Sequence, residues 1–490
     1  VMSVTNPSFA SLGGGGFALV KMGKEAEILD FREKAPLATH EKYFTDKKKS
    51  SSYGGSAVGV PGTPAGLRAL HRKHGRLQWS RLFTTAIQMA EKGFRVTGGW
   101  HDDTLDGMER FDSTAQKLFL QNEKPLKPGT VLTQKALARA LHLFKNRQEA
   151  GFYSGLVAQD IVRTVNARGG DMSLKDLSSY KVAWRKPLIK EYEGHKIYLM
   201  PPPSSGGLVL HSALSIVEKV KAREKTPLSV DELHLLAESL KLAFRSRSLL
   251  GDPDFVTNPI DRLLSEKYLS EQAKLIKSDK VLKLEPLKED EWLQKKKESP
   301  ETTHISVLDA QGRAVAMTIT LNLNYGSGVV TDQFGIALNN EMDDFATKPG
   351  EANEFGLVQG TNNRVEPGKR PLSSMSPTLV EKDGKVVMAL GAPGGPRIIT
   401  SVFHILYRTL TNKMDLDRAI QMPRVHHQFL PNKVFVDSDS RFAPESLEGL
   451  RKKGHEVEES WMGLGFAVQN KEGVIHSAFD SRSEGAASGL

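Results

Sequence analysis

The stretch 301–322 reads ETTHISVLDAQGRAVAMTITLN and contains the pattern that decides the fold. It predicts a β-strand over 303–308, a turn over 309–312 and a second strand over 313–322. Successive residues of a strand point to opposite faces, and the polar face of the second strand ends in Thr320 and Asn322. The hairpin brings both residues back toward Thr302. The three side chains are therefore predicted to share one small volume, although the same pattern is typical of a purely structural hairpin.

The composition is that of a soluble globular protein with a large core. The chain has 490 residues, of which 39% are hydrophobic and 26% charged. Its net charge of +9 is concentrated before residue 302. Lysine runs at 47–49 and 295–297 have no interleaved aromatic residues, so they predict solvated loops and no nucleic-acid site. The absence of cysteine excludes disulfides, thiolate catalysis and cysteine-ligated zinc.

The ends of the chain and one internal segment bear on its organisation. No apolar run approaches the ~20 residues of a membrane span, so no membrane span is predicted. The chain opens on VMSVTNPSFASLGGGG, a strand-like pattern without a signal peptide, and we expect a segment upstream of it to be missing. Residues 276–301 are rich in Lys and Glu and lose periodicity. They predict a solvated, flexible segment and the best internal boundary of the chain.

A run of four glycines, 13–16, precedes a strand near the start of the chain. The Lys-Ser/Thr ending of a phosphate-binding loop is missing and no helix follows, so tight backbone packing is the better interpretation. Arg32 follows the next strand. Its side chain is predicted either to pair with a neighbour such as Glu33 or to bind a carboxylate in bidentate fashion.

Two later stretches combine strand ends with chemically useful groups. Residues 335–345, GIALNNEMDDF, predict a strand followed by the acids Glu341, Asp343 and Asp344, which indicate either a loop or a site for a cation or ammonium group. In GAPGGPRIIT, Gly394 and Gly395 predict a tight turn before a helix. Unpaired N–H groups there could bind an oxyanion, although an ordinary strand–helix turn is the alternative.

Seven stretches in this order closely resemble the γ-glutamyltransferase family, also called γ-glutamyl transpeptidase or glutathione hydrolase. They are SLGGGGFALV, DFREKAP, MPPPSSGG, TTHISVLDAQGRAVAMTITLN, NNEMDDF, PLSSMSPT and GAPGGPRIIT. The resemblance covers essentially the whole chain. It implies an α+β fold, the αββα sandwich of N-terminal nucleophile hydrolases, with two stacked and mainly antiparallel sheets between helical layers.

The resemblance also implies a precursor that cuts itself between Glu301 and Thr302. Residues 1–301 would be the large-subunit portion, truncated at its N-terminus relative to the family, and 302–490 the small subunit. Together they would form one catalytic unit. The new N-terminus supplies what a threonine nucleophile lacks, because its α-amine can act as the base for the Thr302 hydroxyl.

The remaining site residues are carried over from the family motifs. Thr320 would orient the nucleophile, and the N–H groups of Gly394 and Gly395 would form the oxyanion hole. The implied carboxylate site is Arg32, Ser373 and Ser374, and the implied ammonium site is Asp344, Asn322 and Glu341. Residues 349–371 predict a long loop, of which 349–360 resemble the family's lid with Phe355 as its aromatic gate.

The activity that the resemblance implies is cleavage of the γ-glutamyl amide bond of glutathione and related compounds. The γ-glutamyl group would pass through a threonine ester to water or to an amino acid or peptide amine, with neither cofactor nor metal. The implied location is periplasmic or secreted. Three alternatives stay open: a glutaryl- or cephalosporin-type acylase on the same fold, a poly-γ-glutamate-processing enzyme, and an uncleaved binding protein.

Overall fold

The structure is a computed structural model that describes residues 1–46, 49–284, 302–347, 353–357, 359–438, 441–482 and 485–489. Two β-sheets lie face to face, and helices cover their outer faces. The predicted αββα architecture is therefore confirmed. Glu301, most of the predicted flexible segment and part of the predicted lid (349–352 and 358) lie outside the described residues.

The strands of the described residues are β1 (Gly15–Lys21), β2 (Ala26–Asp30), β3 (Phe94–Arg95), β4 (Leu120–Gln121), β5 (Lys124–Pro125), β6 (Val131–Leu132), β7 (Ala183–Arg185), β8 (Leu188–Tyr192), β9 (His195–Leu199), β10 (Thr303–Leu308), β11 (Ala314–Thr320), β12 (Thr378–Lys382), β13 (Lys385–Gly391), β14 (Val425–His426), β15 (Val434–Asp437), β16 (Val457–Ser460), β17 (Phe466–Lys471) and β18 (Val474–Phe479). The five-stranded sheet has the order β10-β11-β1-β2-β7. The six-stranded sheet has the order β18-β17-β13-β12-β9-β8. All neighbours in both sheets are antiparallel.

The helices are α1 (Met2–Thr5), α2 (Tyr43–Asp46), α3 (Thr63–His74), α4 (Thr84–Lys92), α5 (Gly98–Gly107), α6 (Ser113–Phe119), α7 (Lys135–Arg147), α8 (Ala150–Tyr153), α9 (Gly155–Ala167), α10 (Leu174–Ser178), α11 (Gly206–Lys219), α12 (Val230–Arg245), α13 (Ile260–Leu263), α14 (Glu266–Leu275), α15 (Arg397–Leu406), α16 (Leu416–Gln421) and α17 (Pro444–Lys452). Helices α11 and α15 pack on the six-stranded sheet, and α3 packs on the five-stranded sheet. Helix α12 packs outside α11. No helix of the described residues is long and apolar enough to cross a membrane.

The glycine run lets the backbone of β1 and its approach pack closely against β11. A Cβ atom added to Gly14 would lie 2.2 Å from the carbonyl oxygen of Thr320, and one added to Gly16 would lie 2.1 Å from that of Thr318. Gly15 pairs with Thr320 in the sheet. Close backbone packing is therefore confirmed as the role of this run, and β11 is held in a fixed position at its polar end.

The two sheets contact each other closely at His304 on β10. Its ring lies against the backbone of Gly391 at the end of β13, where an added Cβ would come within 2.2 Å of the ring. Its nitrogens contact the hydroxyls of Thr318 and Ser306, each at 2.9 Å. Burial lowers the pKa of His304 to about 3, so the ring is neutral and adds no charge between the sheets.

Two predicted strands are wrong. The opening stretch forms the short helix α1, whose turn is closed by backbone bonds to the carbonyl oxygen of Val1. Residues 335–339 make only isolated bridges, at Ala337 and Leu338. Their backbone groups bond to a turn at 327–331 and to Gly13, so no neighbouring strand runs alongside them. The alternating pattern is misleading because both faces of this segment are buried.

The described beginning of the predicted flexible segment is also held more firmly than we expected. Residues 276–284 follow α14 and lie across α12. The carbonyl oxygen of Lys277 contacts the His234 ring at 2.6 Å, and the N–H of Leu282 donates to Glu238 at 2.8 Å. The side chain of Leu282 also packs with α11 and α12. Local composition missed these contacts because their partners are distant in sequence.

Replacing Gly14 by alanine tests the backbone contact with β11. We expect the variant to lose about 1–3 kcal/mol of unfolding free energy, because the methyl group cannot be accommodated beside the Thr320 carbonyl without moving a strand. Urea unfolding midpoints measure the effect. The matched control is Gly23→Ala, where nothing lies within 4 Å of the added Cβ. Equal midpoints for the two variants would contradict this account of the packing.

Candidate active site

The structure brings the hydroxyls of Thr302 and Thr320 to 3.3 Å from each other. Thr302 stands just before β10, and Thr320 ends β11, the neighbouring strand of the hairpin. Beyond Thr320 the chain turns at Asn322, which has a φ of +78° and donates its N–H to the Thr320 hydroxyl at 2.8 Å. The hairpin register therefore sets the position of the Thr302 side chain.

Ten of the predicted site residues line one cavity of about 20 Å³. They are Arg32, Thr302, Thr320, Asn322, Glu341, Asp344, Phe355, Ser373, Ser374 and Gly395. Gly394 adjoins the cavity through Gly395, and Glu301 lies outside the described residues. The sequence analysis missed the apolar lining residues Leu357, Met375 and Ile398. These three carry no chemical group that would have singled them out.

Arg32 pairs with two acids of the predicted ammonium site. The predicted carboxylate and ammonium sites therefore form one cluster. Its Nη1 atom lies 2.5 Å from Oε2 of Glu341, and its Nη2 atom lies 2.5 Å from Oδ2 of Asp344. The Nε atom donates to the carbonyl oxygen of Pro371 at 3.3 Å. The guanidinium is buried. Positive and negative groups thus stand side by side at one wall of the cavity.

A third acid, Glu33, lies 3.6 Å from the same guanidinium. Burial raises the pKa of Glu33 to about 8, although the charge of Arg32 lowers it. Burial also raises the pKa of Glu341 well above its usual range, against the effect of Arg32. Burial alone would lower the pKa of Arg32, but the surrounding carboxylates outweigh this and raise it overall. The cluster therefore retains protons at pH values where ordinary carboxyl groups are ionised.

The turn before α15 offers backbone donors to the cavity. Gly394 and Gly395 have φ values of +116° and +52°, which favour glycine. Their carbonyl oxygens accept bonds from Arg397 and Ile398, while within the described residues neither glycine N–H donates to a protein acceptor. Added Cβ atoms would strike Trp461 at 2.7 Å and Phe355 at 2.5 Å. The turn thus requires glycine at both positions and leaves its N–H groups available.

Ser373 and Ser374 are positioned by the MPPPSSGG stretch, which belongs to the part of the chain before Thr302. The N–H of Ser373 donates to the carbonyl oxygen of Pro203 at 2.7 Å. The Ser373 carbonyl oxygen accepts from the N–H of Ser205 at 2.9 Å. These bonds join segments more than 150 residues apart and hold both serines at the cavity wall.

Asn353 is a functional candidate that the sequence analysis missed. Its Nδ2 donates to Oδ1 of Asp344 at 3.0 Å, while its Oδ1 accepts from the N–H groups of Phe355 and Leu357, each at 3.1 Å. One side chain thus joins the segment that carries Phe355 to an acid of the cluster. An asparagine in a long loop is ordinary turn chemistry, so the sequence carries no signal for this role.

Replacing Glu33 by glutamine tests the electrostatics of the cluster. Native Glu33 keeps its proton up to about pH 8, whereas the unfolded side chain releases it near 4.5. The native state thus binds more protons, and this group lowers the unfolding free energy as pH rises from about 4.5 to about 8. Glutamine cannot titrate, so Glu33→Gln should gain stability relative to the parent over that window. Urea midpoints at several pH values measure this difference.

The control for this experiment is Glu191→Gln, which changes an exposed carboxylate on β8. Its stability difference from the parent should stay constant over the same window. A constant difference for Glu33→Gln as well would show that the Glu33 carboxyl does not retain its proton in the native protein.

Comparison with known proteins identifies the family to which this chain belongs. A family model described as gamma-glutamyltranspeptidase matches residues 1–490. The glutathione hydrolase proenzyme of Escherichia coli (strain K12) is 37% identical, and the alignment covers 98% of this chain and 84% of that protein. The glutathione hydrolase proenzyme of Pseudomonas aeruginosa is also 37% identical, over 99% of this chain and 87% of that protein.

Two solved structures are similar to this chain. The cephalosporin acylase of Bacillus halodurans has the same fold, with a TM-score of 0.85 and 23% identity over 98% of this chain and 88% of that chain. The γ-glutamyltranspeptidase of Helicobacter pylori is 36% identical, with a TM-score of 0.56, over 57% of this chain and 83% of that chain. Given the full-length family match, this chain belongs to the γ-glutamyltranspeptidase family.

Proposed function

We propose that this enzyme cleaves the γ-glutamyl amide bond of glutathione and related γ-glutamyl compounds and passes the γ-glutamyl group to water or to an amine. The observation that carries the proposal is the contact between the Thr302 and Thr320 hydroxyls beside a buried cluster of one guanidinium and several carboxyl groups. The membership of the chain in the γ-glutamyltranspeptidase family, with relatives named glutathione hydrolase, supports it.

Thr302 is the nucleophile in this proposal. A threonine hydroxyl is weakly nucleophilic at neutral pH and needs a base at hydrogen-bond distance. Cleavage between Glu301 and Thr302 makes that base, because the new α-amine belongs to the same residue and titrates near pH 8. The cleavage also divides the chain into 1–301 and 302–490. The word proenzyme in the names of both bacterial relatives supports a precursor that gives two subunits.

The reaction proceeds in two steps through a γ-glutamyl ester. The Thr302 oxygen attacks the γ-carbonyl carbon, its proton passes to the α-amine, and the amine leaving group departs with that proton. Water or an acceptor amine then attacks the ester and regenerates the hydroxyl. Thr320 orients the nucleophile through its 3.3 Å contact. The N–H groups of Gly394 and Gly395 stabilise the negative oxygen that forms in each step.

Recognition of the γ-glutamyl group is an exchange of ionic partners. The α-carbon of the substrate carries a carboxylate and an ammonium side by side. The carboxylate replaces the acids at Arg32 and accepts from Ser373 and Ser374. The ammonium replaces Arg32 at Asp344 and Glu341, with Asn322 as a further acceptor. A buried charge requires a partner, so a ligand that lacks one of these groups leaves part of the cluster unpaired.

The predicted lid and the location of the enzyme remain parts of the proposal. Phe355 lies against Gly395 and with Leu323 and Leu357 forms an apolar contact over the cavity, as a gate requires.

Glutathione and amino acids or peptides are the proposed small-molecule substrates. We place the enzyme in the periplasm or outside the cell, which rests on the family resemblance alone.

The experiment that tests this function is release of p-nitroaniline from L-γ-glutamyl-p-nitroanilide, with and without glycylglycine as the acceptor. The parent should release the amine. Thr302→Ala should lose turnover by a factor on the order of 10⁴ or more and should remain one uncut chain by intact mass. Thr303→Ala is the matched control and should be cut and active. Failure of the parent with this substrate, but release from glutaryl-p-nitroanilide, would favour the acylase alternative.

Replacing Asp344 by asparagine tests the ammonium site. The variant should raise KM for L-γ-glutamyl-p-nitroanilide about 10- to 100-fold, since losing a charge-assisted hydrogen bond costs about 1.5–3 kcal/mol. Asp343→Asn is the control, because Asp343 accepts from Ser51 and from the N–H of Glu354 and does not line the cavity. Glutaryl-p-nitroanilide lacks the ammonium group, so Asp344→Asn should not raise the KM for this substrate. An equal rise in KM for both variants would contradict the assignment.

A further inference from the structure

Arg247 is a buried guanidinium that stands directly behind the substrate cavity. It lies in the short 3₁₀ turn Ser246–Leu249 that follows α12, and its side chain is 3% exposed. No carboxylate oxygen of the described residues lies within 4 Å of its nitrogens, whereas buried guanidinium groups normally pair with acids. Burial lowers the pKa of Arg247 to about 10, although the charge of Asp344 raises it. The side chain therefore stays positively charged at neutral pH.

Three nitrogens of Arg247 bond to three different segments. Its Nε donates to the Ser205 hydroxyl at 3.1 Å, its Nη1 to Oε1 of Gln359 at 3.2 Å, and its Nη2 to the carbonyl oxygen of Leu372 at 3.5 Å. Leu372 immediately precedes the two serines of the proposed carboxylate site. One side chain thus joins the segments before and after Thr302.

The first and third of these bonds support Ser373 from both sides. The Ser205 hydroxyl donates onward to the Ser373 carbonyl oxygen at 3.0 Å, so Arg247 orients the hydroxyl that holds this serine. The bond to Leu372 fixes the residue before it. Arg247 lies outside the cavity lining, so it acts on a ligand through these residues and through its charge.

The second bond links Arg247 to the acid side of the cluster. Gln359 donates from Nε2 to the carbonyl oxygen of Asp344 at 2.6 Å. Arg247 is also close enough to Arg32 and Asp344 for their charges to act on it. Arg32 is already paired with Glu341 and Asp344, whereas no acid among the described residues balances the charge of Arg247 by direct contact.

We propose that Arg247 is a positioning residue that makes the site selective for γ-glutamyl donors with an α-carboxylate, by holding the 372–374 segment in place and by adding an unpaired positive charge behind it. This inference deepens the proposed function and rests on it. A charge in a poorly solvated position acts over several ångströms, so a bound carboxylate benefits and an isolated ammonium does not. Lysine at this position keeps the charge but cannot serve three acceptors at once.

The test is direct binding, by titration calorimetry, of L-glutamate and of 4-aminobutyrate, which has the same chain and amine but no α-carboxylate. Arg247→Gln should raise the dissociation constant of L-glutamate at least tenfold and that of 4-aminobutyrate less than threefold. Arg247→Lys should keep the dissociation constant of L-glutamate within about threefold to fivefold of the parent value, because the charge remains. Arg245→Met, at the end of α12, is the control and should change the dissociation constant of neither ligand.

A second variant covers the case in which Arg247→Gln fails to fold. Ser205→Ala removes the hydroxyl between Arg247 and Ser373. It should weaken the binding of L-glutamate about threefold without affecting the binding of 4-aminobutyrate. Equal weakening of both ligands, or unchanged L-glutamate binding, would overturn the proposal. Binding does not require turnover, so the two failures are distinguishable: an enzyme that binds L-glutamate selectively through Arg247 but releases no p-nitroaniline would contradict the proposed function, while the role of Arg247 in binding the α-carboxylate would stand.

Discussion

The close backbone contact between the glycine run and β11 is the constraint on which the rest of the site depends. It holds Thr320 at the end of a strand that cannot shift, because the carbonyl oxygens of Thr318 and Thr320 face positions where only glycine leaves enough room. The hairpin register then brings Thr302 beside Thr320. The rigid end of β11 thus positions Thr302. We assign the reactivity of Thr302 to the α-amine that it gains when it becomes a chain terminus.

The second constraint is electrostatic. Arg32 and its acids are buried, and the charge of Arg32 is tolerable only because these carboxyl groups lie near it. Such a cluster suits a zwitterionic ligand, which can replace one internal ion pair by two ionic contacts of its own. Within the described residues no acid pairs directly with Arg247, and we assign to its charge a bias of the pocket toward a carboxylate. In the proposed mechanism, packing therefore places the nucleophile Thr302, and charge selects the donor.

The sequence predicted the hairpin, the glycine turn before α15 and most of the cavity, because these depend on local patterns and on motifs that resemble one family. It missed the pairing of Arg32 with Glu341 and Asp344, because separated motifs do not show which of their charges meet. Asn353 and Arg247 were missed for a related reason. Their residue types are ordinary in a loop and at a helix end, and only the tertiary contacts reveal what they hold.

The central claim is that Thr302 is both the N-terminus of its chain and the acylated nucleophile. It is tested most directly by acid quenching during turnover of L-γ-glutamyl-p-nitroanilide, followed by peptide mapping with mass spectrometry. We predict a γ-glutamyl group on a peptide whose first residue is Thr302. An acyl group on any other residue, or turnover by a chain in which Thr302 is still joined to Glu301, would contradict the account.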